Sequence, residues 1–302
     1  MSQSPRVRVG LSVLLVSSLS LAACIDVDGL QFGGSGTGGG NPSGPSSTSG
    51  TASGGGAGQG GAGTGGSAAP GYADVVLSDQ PLAYYRFEEQ PGTAIAADSS
   101  PSDFEAIVLE SGGGYVRGVP GAIAGEASLA TRLQGGAYVL LSPNNLDLGT
   151  HTSYSLEAWI HAEGTPFEGS LFRWREDGTP QSGFQTYLGL DVVQHKRYDT
   201  GGSYEDLYLS PTYLGGGFHH LVITVSPPNA RIYVDGMLAT DPGFDGFALE
   251  LPTHSAPLSL ADTGSSTTLV VDEIAYYPHA LSQARVEAHY RCGTGSACEL
   301  AP

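Results

Sequence analysis

The sequence predicts an all-β protein, a two-sheet antiparallel sandwich preceded by a disordered Gly/Ser linker. Three observations carry that expectation. Short runs rich in Val, Ile, Leu and Tyr recur with period-two alternation, bounded by Gly, Pro, Asn and Asp. Helical periodicity is scarce, with one capped stretch near the C-terminus. Many of the 46 glycines crowd ahead of Gly71, which leaves about 220 residues of ordinary composition, enough for one large sandwich.

Residues 1–24 read as a targeting segment. Arg6 and Arg8 supply the positive start, and Leu11 to Leu21 form an apolar run too short to span a bilayer as a helix. The run ends in Leu21-Ala22-Ala23-Cys24, which resembles the lipobox of bacterial lipoproteins. That resemblance implies cleavage before Cys24 and lipid attachment to it. Acyl chains contribute about 0.8 kcal/mol per buried methylene, so several hold a protein to a membrane. Ile25 rather than Asp follows the cysteine, as in the outer-membrane class of these lipoproteins. The alternative is an ordinary secretory signal with Cys24 free.

Residues 25–71 are mainly Gly, Ser, Thr and Ala, too poor in apolar side chains to offset ordering entropy. A Gly/Ser coil of about 40 residues has a root-mean-square span of roughly 35 Å. Gly56-Ala57-Gly58-Gln59-Gly60-Gly61 matches a dinucleotide-binding pattern by chance, since neither a strand nor a helix flanks it.

The folded part spans residues 72–291, with 292–302 as a C-terminal tail. Ala83, Tyr85 and Phe87 alternate with Tyr84, Arg86 and Glu88 in the first strand. Ala97-Asp98-Ser99-Ser100 makes a polar turn. Strands follow at Ala137–Leu141, Tyr154–Ile160, Leu171–Trp174 and Gln185–Leu190. Between Phe218 and Gly236 three antiparallel strands are expected. Leu221, Ile223 and Val225 share one face of the first, and His220, Val222 and Thr224 share the other. Ser226-Pro227-Pro228-Asn229 breaks the alternation, and Asp235-Gly236 makes the tight turn into Met237. Two late strands, around Leu258–Ala261 and Leu269–Tyr276, precede a helix from Gln283 to Tyr290 capped by Ser282.

Lys and Arg number 12 against 30 Asp and Glu, a formal net charge of −18 with Lys196 the sole lysine. Such a surface repels phosphate backbones, so no nucleic-acid partner is expected.

Five pieces in order resemble the laminin-G-like jelly roll of the concanavalin A-like lectin/glucanase superfamily. They are Ala83–Glu88, Asp98-Ser99-Ser100, Ser155–Ile160, Phe218–Val225 with Ile232–Gly236, and Val271–Tyr276 with Ala280-Leu281-Ser282. Phe218 replaces the family's usual tryptophan and keeps its packing role. The resemblance covers residues 72–290 and implies a jelly-roll sandwich. It further implies one structural calcium ion, held by a late acidic residue at Asp272 with Asp98 as an early candidate; the alternative for Asp272 is a capping or solvent-facing role.

A glucanase of this superfamily needs two carboxylates facing one cleft, about 5 Å apart in retaining enzymes. Glu157 stands alone on its strand, and the adjacent Asp272-Glu273 should face opposite sides of the sheet. No enzyme is therefore expected, with a glycan-active hydrolase as the alternative. His219 and His220 likewise diverge and do not make a metal pair. Ligand-binding candidates are Trp174, Tyr187, Tyr198 and Tyr204, with Tyr208, Arg197, Glu205 and Asp206 nearby, because sugars stack on flat rings and hydrogen-bond to polar groups. The alternative is that these aromatics cover the sheet, and core packing is open for Trp174. Cys292 and Cys298 should pair in an exported protein. The sequence thus points to a lipid-anchored envelope protein whose jelly roll binds a glycan or protein ligand, or serves as a passive spacer.

Overall fold

A computed structural model describes residues 69–302 apart from 110–113, 142–147, 164–167, 177–180, 190–191, 210–213, 215, 241–245, 248–250, 252–255 and 264–267. Cys24, the leader and nearly all of the linker lie outside the described residues. The chain begins with α1 (Tyr72–Ser78) and continues through β1 (Ala83–Tyr85), β2 (Ile95–Ala96), β3 (Ala106–Leu109), β4 (Gly114–Pro120), β5 (Leu129–Gln134) and β6 (Tyr138–Leu141). The long central strands are β7 (Tyr154–Glu163), β8 (Gly169–Glu176), β9 (Ser182–Leu188), β10 (Val193–Tyr198) and β11 (Tyr204–Leu209). Then come β12 (His219–Ser226), β13 (Asn229–Val234), β14 (Met237–Leu238), β15 (Leu258–Thr263), β16 (Thr268–Tyr277) and α2 (Gln283–Gly293).

The described strands form two eight-stranded antiparallel sheets. Sheet A runs β14-β13-β12-β7-β16-β5-β4, with β1 paired to the far half of β16. Sheet B runs β11-β10-β9-β8-β15-β6-β3-β2. Period-two alternation decides what lies between them. Leu156, Ala158 and Ile160 of β7 and Leu221, Ile223 and Val225 of β12 face Phe172, Trp174, Phe184, Val193 and Leu260 of sheet B in the main core. The turn at Asp235 (φ 52°) and Gly236 (φ 75°) joins β13 to β14 as the Asp-Gly pair predicts. Gly236 is needed twice over, because a Cβ there would lie 2.9 Å from the Tyr290 side chain.

A second core covers the outer face of sheet A. Tyr72, Val75 and Val76 of α1 and Val286 and Cys292 of α2 pack on Trp159, Val222, Tyr233, Ala275 and Tyr277. The seven-residue α1 is an element the sequence did not announce. Its Tyr72, Val75 and Val76 stand at i, i+3 and i+4, and the Asp74 carboxylate accepts the Gly71 N–H at 2.9 Å. So short a helix is unstable alone and persists through this packing. At α2, Ser282 accepts the Arg285 N–H as the cap predicts. The helix continues to Gly293, so Cys292 sits in its last turn and forms the disulfide with Cys298.

At the centre of this second core lies a polar network built on the fully buried Glu157, His220 and His289. Glu157 of β7 accepts hydrogen bonds from the hydroxyls of Tyr72 (2.9 Å) and Tyr277, from His220 Nε2 (2.7 Å) and from His289 Nδ1 (3.0 Å). His289 Nε2 donates to Asp79 at 2.8 Å, and Arg285 reaches the same carboxylate at 2.6 Å. Both His289 nitrogens thus face carboxylates and both carry protons. Burial opposes that charge, but Glu157 and Asp79 prevail and hold His289 up at about 9. Burial likewise opposes charge on Glu157, yet His289 and His220 hold it well below the carboxylate range.

His289 therefore keeps its proton in the folded state up to about pH 9, against about 6.5 unfolded. Its stabilisation is complete below about pH 6.5 and is lost as pH rises towards 9. Guanidinium unfolding midpoints should fall across that window, and His289→Gln should flatten the slope; an unchanged slope in the variant would refute the assignment. Glu157→Gln should cost about 3–5 kcal/mol at pH 7, because it strands a buried charge.

Candidate functional site

The opposite face of the molecule, the outer surface of sheet B, carries the candidate site. Along β10, Val193, His195 and Arg197 are buried, while Gln194, Lys196 and Tyr198 point outward. Strand register aligns the outward residues in three rows. Tyr208, Gln194, Tyr187 and Ser170 form the first; Asp206, Lys196, Gln185 and Arg173 form the second. Tyr204, Tyr198, Gly183 and Arg175 form the third. Gly183 (φ 114°) leaves a gap between its neighbours, and the Arg175 guanidinium crosses it to lie 5.6 Å from the Tyr198 ring centre.

The result is an open groove of about 240 Å³ lined by Gln185, Tyr187, Gln194, Lys196 and Tyr198. Enclosed small-molecule pockets are larger, roughly 300–1,000 Å³, so its shape suits a chain lying across strands. Tyr204 and Tyr208 flank it on the edge strand, 53% and 64% exposed. The polar groups are held in place: Arg175 donates to Gln185 Oε1 at 2.7 Å, and Gln194 Nε2 donates to Asp206 Oδ2 at 2.7 Å. Burial raises Asp206 above its ordinary range, with Lys196 and Gln194 acting against the rise. The other Asp206 oxygen is buried without a partner among the described residues.

Of the ligand-binding candidates, Tyr187, Tyr198 and Tyr204 come together on this face, and Trp174 does not. It is 0% exposed, lies between the sheets and packs on Phe184 with ring centres 5.6 Å apart. A bulge between Ser170 and Phe172 sets the β8 phase, so that Trp174 points inward and Arg173 and Arg175 outward. Arg197 is corrected likewise, being buried with its guanidinium 5.8 Å from the Phe247 ring centre. Beside it His195 is pressed down to about 3 by burial and by Arg197, and as a neutral ring it bonds Tyr154 Oη and Thr186 Oγ1. Gln185, Gln194 and Lys196 were missed, although the alternation of Val193 to Tyr198 was sufficient to put the latter two beside Tyr198.

The carboxylates lie elsewhere. Glu157 is sealed beneath the helices. Asp272 and Glu273 do not diverge as simple alternation requires. A bulge between Asp272 and Ala275, with Glu273 at φ 49°, brings the two carboxyls close, and both are 0% exposed. Glu273 meets Tyr84 Oη and Arg86, and burial followed by the Asp272 charge raises it well above the usual range. Burial also pushes Asp272 up to about 7.

Asp98 and Asp272 answer differently as calcium ligands. Asp98 accepts Tyr84 N–H, Ser100 N–H and Ser100 O–H at 2.8 Å and Phe104 N–H at 2.9 Å. Both its oxygens are thus spent on the turn, and its expected ligand role is corrected to that of turn organiser. Asp272 Oδ2 accepts Ala122 N–H at 2.8 Å and Ser128 O–H at 2.9 Å, whereas Oδ1 is buried with no partner among the described residues. At Gly121 a Cβ would fall 2.7 Å from Asp272 and closer still to Ser128 Oγ. The unpartnered Asp272 Oδ1 is available to a hard cation, and among the described residues no group of three or more His, Cys, Asp or Glu side chains converges there.

A family profile described as the concanavalin A-like lectin/glucanases superfamily matches residues 133–287. The fold is also similar to the binding domain of Paraclostridial mosquitocidal protein 1, at TM-score 0.57 and 16% identity over 71% of this chain and 52% of that one. The receptor-binding domain of botulinum neurotoxin type G gives TM-score 0.52 at 12% identity over 70% and 51%. The binding domain of botulinum neurotoxin serotype D gives 0.52 at 12% over 72% and 52%. The chain thus spans about half the length of those solved binding domains. None of the curated proteins matches it.

Trp174→Ala should cost about 3–5 kcal/mol of stability, whereas Tyr198→Ala should cost less than about 1 kcal/mol. Urea unfolding of the two variants checks this; equal losses would contradict the division between core and groove.

Proposed function

The chain belongs to the concanavalin A-like lectin/glucanase superfamily, and from that premise we propose that it is a non-catalytic module that binds a glycan across β9, β10 and β11. The observation that carries this reading is the convergence of Tyr187, Tyr198 and Tyr204 with the amides of Gln185 and Gln194 on one open face. Flat rings stack on the C–H faces of sugars, and fixed amides and Asp206 exchange hydrogen bonds with ring hydroxyls. Similarity to toxin binding domains supports a binding role at the level of fold, since fold alone does not set the ligand. The superfamily also contains glucanases, but the buried Glu157, Asp272 and Glu273 supply no pair lining an open cleft.

Residues 21–24 support placing this module at a bacterial cell envelope, through lipid on Cys24, with the outer membrane as the site of anchorage. Residues 25–71 then serve as the tether. Calcium belongs to the same proposal, with Asp272 Oδ1 as its ligand and neutralisation of the Asp272-Glu273 pair as its contribution.

Glycan-array binding of the purified protein, with and without EDTA, tests the reading. Retention of glycans by the wild type and its loss in Tyr198→Ala is expected. Failure to bind any glycan would shift the role to a protein partner or a spacer, and consumption of an arrayed oligosaccharide would show catalysis. Calcium should raise the melting temperature of the wild type and leave Asp272→Asn unmoved. A similar rise in the variant would remove Asp272 from the site.

A further inference from the structure

The charges beside the groove are at odds with the rest of the molecule. The chain carries a formal charge of −18, and five of its ten described Lys and Arg side chains serve ion pairs within the chain. Arg86 meets Glu273, Arg117 meets Glu89, Arg132 meets Glu163, Arg285 meets Asp79 and Arg291 meets Glu299. Lys196 makes no ion pair among the described residues. Its ammonium stands 5.4 Å from the Tyr204 ring centre, in the row between Asp206 and Gln185. The nearest acid in the register, Asp206, takes a hydrogen bond from Gln194 and lies within electrostatic reach of Lys196 without forming an ion pair with it. Arg175 adds a second charge, held over Tyr198 and hydrogen-bonded to the amide oxygens of Gln181 and Gln185. Arg173 faces outward one row away.

Two cations over two tyrosine rings, with side-chain amides between them, form a receptor for a sugar that bears a negative charge. Resting on the glycan-binding reading above, we infer that the groove selects acidic glycans, with the Lys196 ammonium and the Arg175 guanidinium receiving a sugar carboxylate while Tyr198 and Tyr204 support the rings. Charge-assisted hydrogen bonds of this kind are stronger than the neutral contacts of an uncharged sugar. Arg175 supplies the flat donor fork that a carboxylate matches, and Lys196 the compact charge. Nucleic acid is disfavoured at the same place, because its dense charge must also approach the acidic surface around the groove.

Calorimetric titration of the purified full-length protein with three hexasaccharides tests this: an oligogalacturonate, a heparin-derived sulfated chain and neutral cellohexaose. The oligogalacturonate should bind at least about tenfold more tightly than cellohexaose and weaken as sodium chloride rises. Lys196→Ala should lose about tenfold in oligogalacturonate affinity with an unchanged melting temperature, and Lys196→Arg should retain most of it. Preference for the sulfated chain over the carboxylated one would make the groove a reader of sulfate and overturn the carboxylate assignment. Equal binding of cellohexaose, lost in Tyr198→Ala but not in Lys196→Ala, would overturn the inference and leave the glycan-binding reading standing. Absence of binding to all three would remove both.

Discussion

The hydrogen-bonded ion network around Glu157 is the constraint on which the rest of the arrangement depends. A carboxylate on the central strand of a sheet, aimed away from the main core, is ordinarily a surface group. Here His289, His220, Tyr72 and Tyr277 satisfy it, and the elements that bring those groups close the outer face of sheet A. Desolvating several charges is costly, and such a network holds only when its charged groups are paired. It therefore demands a particular seating of α1 and α2, through Asp79 at the end of one and Arg285 and His289 on the other. The helices are short and gain their stability from this contact and the apolar residues around it.

Closing one face defines the other by exclusion. Sheet A is buried on both sides, which explains why β7 and β16 are hidden along most of their length. Sheet B keeps the plain alternation of a sheet with one solvated side, apolar inward and polar or aromatic outward. The groove on that side is set by the strands themselves. Register sets the three rows, and Gly183 supplies the gap over which Arg175 and Tyr198 meet.

Irregularities decide where the remaining polar groups go. The bulge in β16 brings two neighbouring acids close together and leaves Asp272 Oδ1 buried without a partner among the described residues. The bulge in β8 turns Trp174 into the core. Each inserts an extra residue into the ladder and shifts the phase of the strand beyond it, so side chains separated by a bulge no longer obey a two-residue count.

The sequence by itself determined the sandwich, its central strands, the Asp235-Gly236 turn, the capped C-terminal helix and the pairing of Cys292 with Cys298, because alternation, turn chemistry and cysteine spacing are local. It also made the tyrosines of β9, β10 and β11 candidates, and the face they share follows from the period of a strand. Only the tertiary structure decided that Trp174 and Arg197 are interior, that Asp98 organises a turn, and that Glu157 lies under two helices. Those outcomes depend on bulges and on partners from 14 to 132 residues away, and no local pattern carries the contact of His289 with Glu157. Lys196 stands between the two cases. Its place in the groove is written in the alternation of β10, but only the tertiary structure shows its ammonium beside the Tyr204 ring with no ion pair to any described residue.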